Sequence, residues 1–262
     1  MTVFIMSKGK QLLWRAVATI AALFLWQIAA LCLNQPMFLP SPWAVLLRMG
    51  SLCLEEGFWG AVWASFSNIV GGFFLAFLIG AMLAVLAGRF QAAEILLWPY
   101  MVTVKSVPVA SFIILAYVWF SSAELSVFIS FLMVLPVVYT NLLSGVHALD
   151  RKLGEMADVF RMPLHRRLGY VWLPQMKPFL FSACSLSLGL AWKAGIAAEV
   201  IGAPEGFIGE EMYLSKVHFA TTDLLAWTVV VILLSVGFEK LVMGGLKLGF
   251  SLWEKRGSKE VR

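Results

Sequence analysis

Long apolar runs alternate with short polar intervals along the chain, and the runs set the expected elements. Stretches near 13–33, 61–87, 94–120, 124–146, 178–202 and 223–248 are almost wholly apolar. About 20 such residues, wound as a helix, cross a hydrocarbon core of roughly 30 Å. The segment Phe38-Leu-Pro-Ser-Pro-Trp43 and the following 44–54 are too short and too interrupted to span. They predict an extended stretch and a short interfacial helix, with Ser41 as its cap ahead of Pro42. In the second run Gly72, Ala76, Gly80, Ala84 and Gly88 recur every four residues. Small side chains on one ridge let helix backbones approach in lipid and gain van der Waals contact. The third run is the weakest, because Trp98-Pro99, Lys105 and Pro108 interrupt it. A proline there frees a backbone carbonyl that neighbours or water must satisfy.

Composition narrows the class. The 262 residues are 61% apolar and 13% charged, with a mean hydropathy of +0.86. Soluble domains carry roughly 25% charged residues, so a membrane domain is the class that fits. The net charge of +5 is accounted for by cytoplasmic lysines and arginines and does not call for nucleic acid as a partner. Cys32, Cys53 and Cys184 have no metal-ligand spacing, and no disulfide between Cys32 and Cys53 is expected. The basic start followed by an apolar run mimics a signal peptide, but 16–33 is long for one and further spans follow, so it reads as an uncleaved first span.

Basic residues give the orientation. Lys8, Lys10 and Arg15 precede the first span, and Arg89 follows the second. Arg151, Lys152, Arg161, Arg166, Arg167 and Lys177 lie between the fourth and fifth, and Lys247, Lys255, Arg256, Lys259 and Arg262 follow the sixth. The opposite loops hold only Arg48 and Lys216. Six spans with both termini in the cytoplasm satisfy this pattern.

That topology places Glu155–Pro174, the longest polar interval, inside the cell. Leu153, Met156, Ala157 and Phe160 share one face of a short helix. Met162-Pro163 breaks it, because a residue before proline is pushed out of the α region. Pro163 then begins a second short helix, with Leu164, Leu168, Val171 and Trp172 on one side and His165, Arg166 and Arg167 on the other, and Pro174 ends the segment. Two short amphipathic helices with a bend between spans form a docking device.

The residues of this loop resemble the EAA loop of ABC-importer permeases. Glu155-Met156-Ala157 and Val171-x-Leu173-Pro174 stand where that family has Glu-Ala-Ala and Ile-x-Leu-Pro. Met156 replaces an alanine, and Arg161 replaces the family's glycine, so the bend is expected from Pro163 rather than from a residue at positive φ. Leu39-Pro-Ser-Pro42, Lys105-Ser106-Val107-Pro108 and Ala198-Glu199-Val200-Ile201-Gly202 are similar to stretches of the nitrate, sulfonate and taurine permeases; Val118-Trp119-Phe120-Ser121 matches in part. The resemblance implies an all-α membrane protein: six transmembrane helices in one permease domain over 1–262, a cytoplasmic coupling-helix loop at about 150–174 between spans 4 and 5, and a cytoplasmic tail at about 249–262. It implies a coupling role for Glu155, Ala157, Arg161, Pro163, Val171, Leu173 and Pro174. It further implies a homodimer in the bacterial inner membrane, joined by two ATP-binding cassette ATPase subunits and an extracytoplasmic substrate-binding protein. No cofactor belongs to this chain, since ATP is bound by the partner.

Three intramembrane charges, Lys105, Lys193 and Glu199, need a reason, since each costs at least roughly 2.5–3.5 kcal/mol near the bilayer centre. Either lysine faces a central pathway and attracts an anion, or Lys193 pairs with a neighbouring helix and serves packing; both readings stay open. At about 100° per residue Lys193 and Glu199 fall on different faces, and Glu199 is expected to fix the loop at Gly206 and Gly209 more than to touch substrate. Asp223 reads as the cap of the sixth helix. The sequence contains no G-x-x-x-x-G-K-[S/T], H-E-x-x-H or G-x-S-x-G motif, so ATP binding and catalysis are expected in other chains. The expected function is a permease subunit moving a sulfonate, a nitrate-like anion or a thiamine-precursor pyrimidine. The rival is an ion-coupled carrier acting alone, which is disfavoured because no second inverted repeat is evident.

Overall fold

The computed structural model describes the backbone of residues 8–260 and side chains from Leu13 to Glu254, Arg15 excepted. Of the residues that set the orientation, the side chains of Lys8, Lys10, Arg15, Lys255, Arg256 and Lys259, and all of Arg262, lie outside the described residues. The described chain is helical, with no strand: α1 Lys8–Leu33, α2 Pro42–Leu52, α3 Phe58–Arg89, α4 Gln91–Ser106, α5 Val109–Ala116 and α6 Ser122–His147. There follow α7 Arg151–Val159, α8 Leu164–Arg167, a π-turn Leu168–Trp172, α9 Leu173–Gly202, α10 Ile208–Val217 and α11 Thr221–Glu260. Among the described residues Ala16–Leu33, Phe58–Arg89, Ser122–His147, Leu164–Gly202 and Thr221–Glu254 are each long and apolar enough to cross a membrane.

The third apolar run departs from a single span. It breaks at Val107-Pro108 into α4 and α5, which meet at 102°. Pro108 has no N–H for the helical ladder, and Val107 before it is extended at φ −80°, ψ 135°. The pair nevertheless carries the chain back along α6. Glu94 lies 3.5 Å from His147, Lys105 bonds Thr140, and Phe120 stacks on Phe128. Counted as one broken span, it makes the sixth.

The described chain folds as two compact units. One comprises residues up to Trp59 with Glu211–Val230, and is clasped by polar bonds. Ser41 accepts from the Ala44 N–H at 3.2 Å as the cap of α2, and Trp26 Nε1 donates to the Pro40 carbonyl at 3.1 Å. Arg48 holds both oxygens of Asp223, at 2.7 and 2.9 Å, and reaches Glu55 at 2.5 Å. Asp223 is therefore not the cap of the last helix: its carboxylate is taken by a bidentate arginine, which outweighs one backbone N–H.

The other unit, 60–210 with 231–262, is built on α3, α6 and α9. α3 and α6 run parallel. Asn68 Nδ2 donates to the Ala123 carbonyl, and Gly80 and Gly88 lie against Val138 and Val146. The backbones come closest at Gly72, where a Cβ would sit 2.5 Å from the Val127 carbonyl oxygen. Ala76 and Ala84 on the same helix are fully buried. α9 runs antiparallel to α6, with Gly202 against Leu125, Ser130 Oγ donating to the Ala191 carbonyl and Ser182 bonded to Asn141. Phe66, Phe73, Trp192 and Phe238 join α3, α9 and α11 through rings 5.7–6.0 Å apart.

Candidate coupling loop and intramembrane charges

The polar interval between α6 and α9 folds as a hairpin tied by its own side chains. Asp150 caps α7, accepting from the Lys152 N–H at 2.9 Å, while its own N–H donates to Gln175 at 2.8 Å. Of the apolar positions expected to share a face of α7 only Ala157 is buried; Leu153, Met156 and Phe160 are exposed. Glu155 is exposed beside them.

The turn is not made as expected. Arg161 takes φ +48°. Met162 N–H donates to the Ala157 carbonyl at 2.9 Å and Arg161 N–H to that of Asp158 at 3.0 Å, the paired bonds of a Schellman ending. Arg161 thus adopts the left-handed conformation that suits glycine, and the bend lies there as well as at Pro163. Pro163 is extended at φ −65°, ψ 151° and precedes α8 instead of opening it. Arg167 ties the second arm to the first, donating to Asp158 at 2.5 Å with its guanidinium 5.1 Å over the Trp172 ring. A polar cleft of about 410 Å³ lies among Asp150, Arg151, Glu155, Asp158 and Arg167.

Pro174 does not end the segment. The chain passes through the π-turn into α9 with Pro174 in its first turn, so Leu164–Gly202 is a continuous run. Pro174 offers no N–H to the helical ladder, and the i→i+5 turn just before it is where the ladder changes register. Gln175 Nε2 donates to the Val171 carbonyl at 2.8 Å. Val171 is buried, Leu173 is half-buried and Pro174 is exposed.

The three charges divide. Lys105 is exposed, its Nζ donating to Thr140 Oγ1 at 3.1 Å. Lys193 is exposed on α9 at the level of Ser130 and has no hydrogen bond or ion pair among the described residues. Glu199 is fully buried: Ser65 Oγ donates to its Oε2 at 2.6 Å and accepts from the Ile208 N–H at 3.0 Å, and the Gly209 N–H points at the same carboxylate oxygen at 3.4 Å. Glu199 therefore latches α3, α9 and the start of α10, and its carboxylate faces no open surface of this unit. Close approach demands Gly209, where a Cβ would collide with that of Glu199.

Sequence reasoning missed the Arg167–Asp158 tie, the positive φ of Arg161 and the use of Asp223. The nine-residue spacing of Arg167 and Asp158 follows no helical period, so only the turn between them brings them together.

Membrane-crossing helices joined by a structured polar loop define a multi-pass α-helical membrane protein. The family model described as binding-protein-dependent transport system inner membrane component matches residues 76–243, and the chain belongs to that family: it is a permease subunit of an ABC importer. It is 30% identical to the putative aliphatic sulfonates transport permease protein of Bacillus subtilis over 184 residues, 70% of this chain and 67% of that one. Identity to the taurine transport system permease protein of Escherichia coli is 26% over 246 residues, covering 91% and 89% of the two chains. For the nitrate import permease protein of Synechocystis it is 25% over 213 residues, 77% of each. Family membership carries an ATPase and a substrate-binding protein as partners.

Proposed function

We propose that two copies of this chain form one translocation pathway in the bacterial inner membrane, with both termini in the cytoplasm. Two ATPase subunits grip the hairpins of 150–174, and a binding protein delivers solute from outside. The observation that carries this reading is the apolar tip of the hairpin. Val159, Phe160 and Leu164 are 79%, 74% and 68% exposed, although the polar groups around them are bonded within the loop. Burying such side chains is worth about 1.5–3 kcal/mol each, which favours a protein cleft as their environment. Closure of the ATPases on ATP draws the two hairpins together and tilts α9, which continues from the second arm through the π-turn. The ATPase performs the hydrolysis.

The solute class is a small anion. An ammonium cannot stay in lipid unpaired, so Lys193 faces the pathway, where it attracts negative charge. Lys105, tied to Thr140, lines the same route nearer the inner end. The relatives named for sulfonates, taurine and nitrate agree with that chemistry. The test is to tag the chain in its host, solubilise it gently and identify what copurifies. An ATPase in equal amount is expected; recovery of the chain alone, active in liposomes with an ion gradient, contradicts the proposal.

A further inference from the structure

α11 is longer than a span requires. Its 40 residues extend about 60 Å at 1.5 Å per residue, against a hydrocarbon core of roughly 30 Å. Its inner part lies on the coupling hairpin and the root of α9. Trp253 covers Gly169 in the π-turn, where a Cβ would collide with Trp253 Cζ2, and Tyr170 has its ring 6.5 Å from the same indole. About two turns further on, in α9, Glu254 pairs with Lys177 at 2.7 Å, the Lys177 ammonium stands 5.4 Å over Phe250, and Phe250 meets Phe181 at 5.8 Å.

We infer that the inner end of α11, through Trp253, Phe250 and Glu254, is a second transmission arm: it grips the π-turn at Gly169, so that movement of the coupling hairpin drives α9 and α11 together. The π-turn explains why the grip sits there. An i→i+5 turn interrupts the i→i+4 ladder that makes the α-helix on either side of it a single rod. Without a brace, displacement of α7 and α8 is lost in that turn before it reaches α9. Trp253 fills the space that the missing side chain of Gly169 leaves and couples the turn to a helix that crosses the membrane. Trp253 and Gly169 are thus positioning residues, acting on the pathway through α9 and α11. The inference rests on the coupling reading above.

The test uses the full complex with its copurified ATPase in nanodiscs, carrying Cys32→Ser, Cys53→Ser and Cys184→Ala and a single reporter, Ser185→Cys, on the exposed face of α9. Maleimide labelling of the reporter is compared without nucleotide and after trapping with MgATP and vanadate. With Trp253 intact, trapping changes the labelling rate several-fold. Trp253→Ala abolishes that change while the ATPase still copurifies, and Trp253→Phe keeps most of it. Gly169→Leu also abolishes it, and adding Trp253→Ala to Gly169→Leu restores part, which a variant that merely misfolds does not do. An undiminished change in Trp253→Ala overturns the brace. Absence of an ATPase, or of any change in the complex with Trp253 intact, sinks the coupling reading instead.

Discussion

The seam between α3 and α6 and the coupling hairpin both join helix to helix, yet they are held by opposite means. The seam works by missing atoms: Gly72, Ala76, Gly80, Ala84 and Gly88 let two backbones approach until a single added carbon collides with the Val127 carbonyl. The hairpin works by a few directional bonds, from Asp150, Asp158, Arg167 and Gln175, and bears a left-handed arginine. A seam of that kind is rigid, because lipid-immersed helices gain their attraction from close approach and lose it with an ångström of separation. A hairpin tied by solvated charges is adjustable, since each exposed tie is worth about 1 kcal/mol or less. Under the proposed function the hairpin is the deformable handle and the spans are the rigid bodies it moves.

Changes at the seam are expected to have the largest effect. Gly72→Leu places a branched side chain where not even a Cβ fits, so the folded chain should vanish from detergent extracts, read by size-exclusion profile and protease resistance. Glu155→Lys acts on the handle alone: ATP-dependent uptake of the binding protein's ligand is abolished while the spans insert normally. Normal uptake in that variant removes Glu155 from docking. Lys193→Ala leaves both regions intact and changes what passes between them. Uptake of an anion should fall several-fold with the ATPase still bound; unchanged uptake returns Lys193 to packing. Arg161→Gly sharpens the contrast in the other direction. It relieves a left-handed conformation that costs a non-glycine residue about 1–2 kcal/mol, so thermal unfolding of the complex should shift upward slightly. The smallest effect is expected from Asp223→Asn, which removes charge from a half-exposed pair with Arg48 and should cost about 1 kcal/mol or less.

The seam was legible in the sequence because its cause is periodic. Small residues every fourth position declare a helix face whatever lies opposite, and runs of 20 apolar residues declare spans. The partner of the ridge was not legible: the six-span topology already makes α3 and α6 parallel, but nothing in 122–147 marks α6 as the helix that meets the ridge. The hairpin was legible in outline, from the Ala157 face and the Met162-Pro163 break, and mistaken in detail. The positive φ at Arg161 had one signal, the family's glycine at that place, and it was set aside because arginine ordinarily avoids that conformation. Pro174 looked like a stop because proline usually is one; in the first turn of α9 it is tolerated. Asp223 looked like a cap because caps are local, whereas its partner Arg48 is 175 residues away. The angle along α9 separated Glu199 from Lys193, but it said nothing of the Glu199 bond to Ser65, which spans 134 residues and could only be seen in three dimensions.

The hairpin tip offers the most direct measurement. A photo-crosslinking amino acid at Phe160, the exposed residue at the end of α7, is activated in native membranes and the adduct identified by mass spectrometry. Capture of the ATPase subunit, strengthened or weakened by nucleotide, is the predicted result. A tip that crosslinks only to lipid or water, in membranes where the ATPase is present and the transporter is active, contradicts the coupling role of the loop.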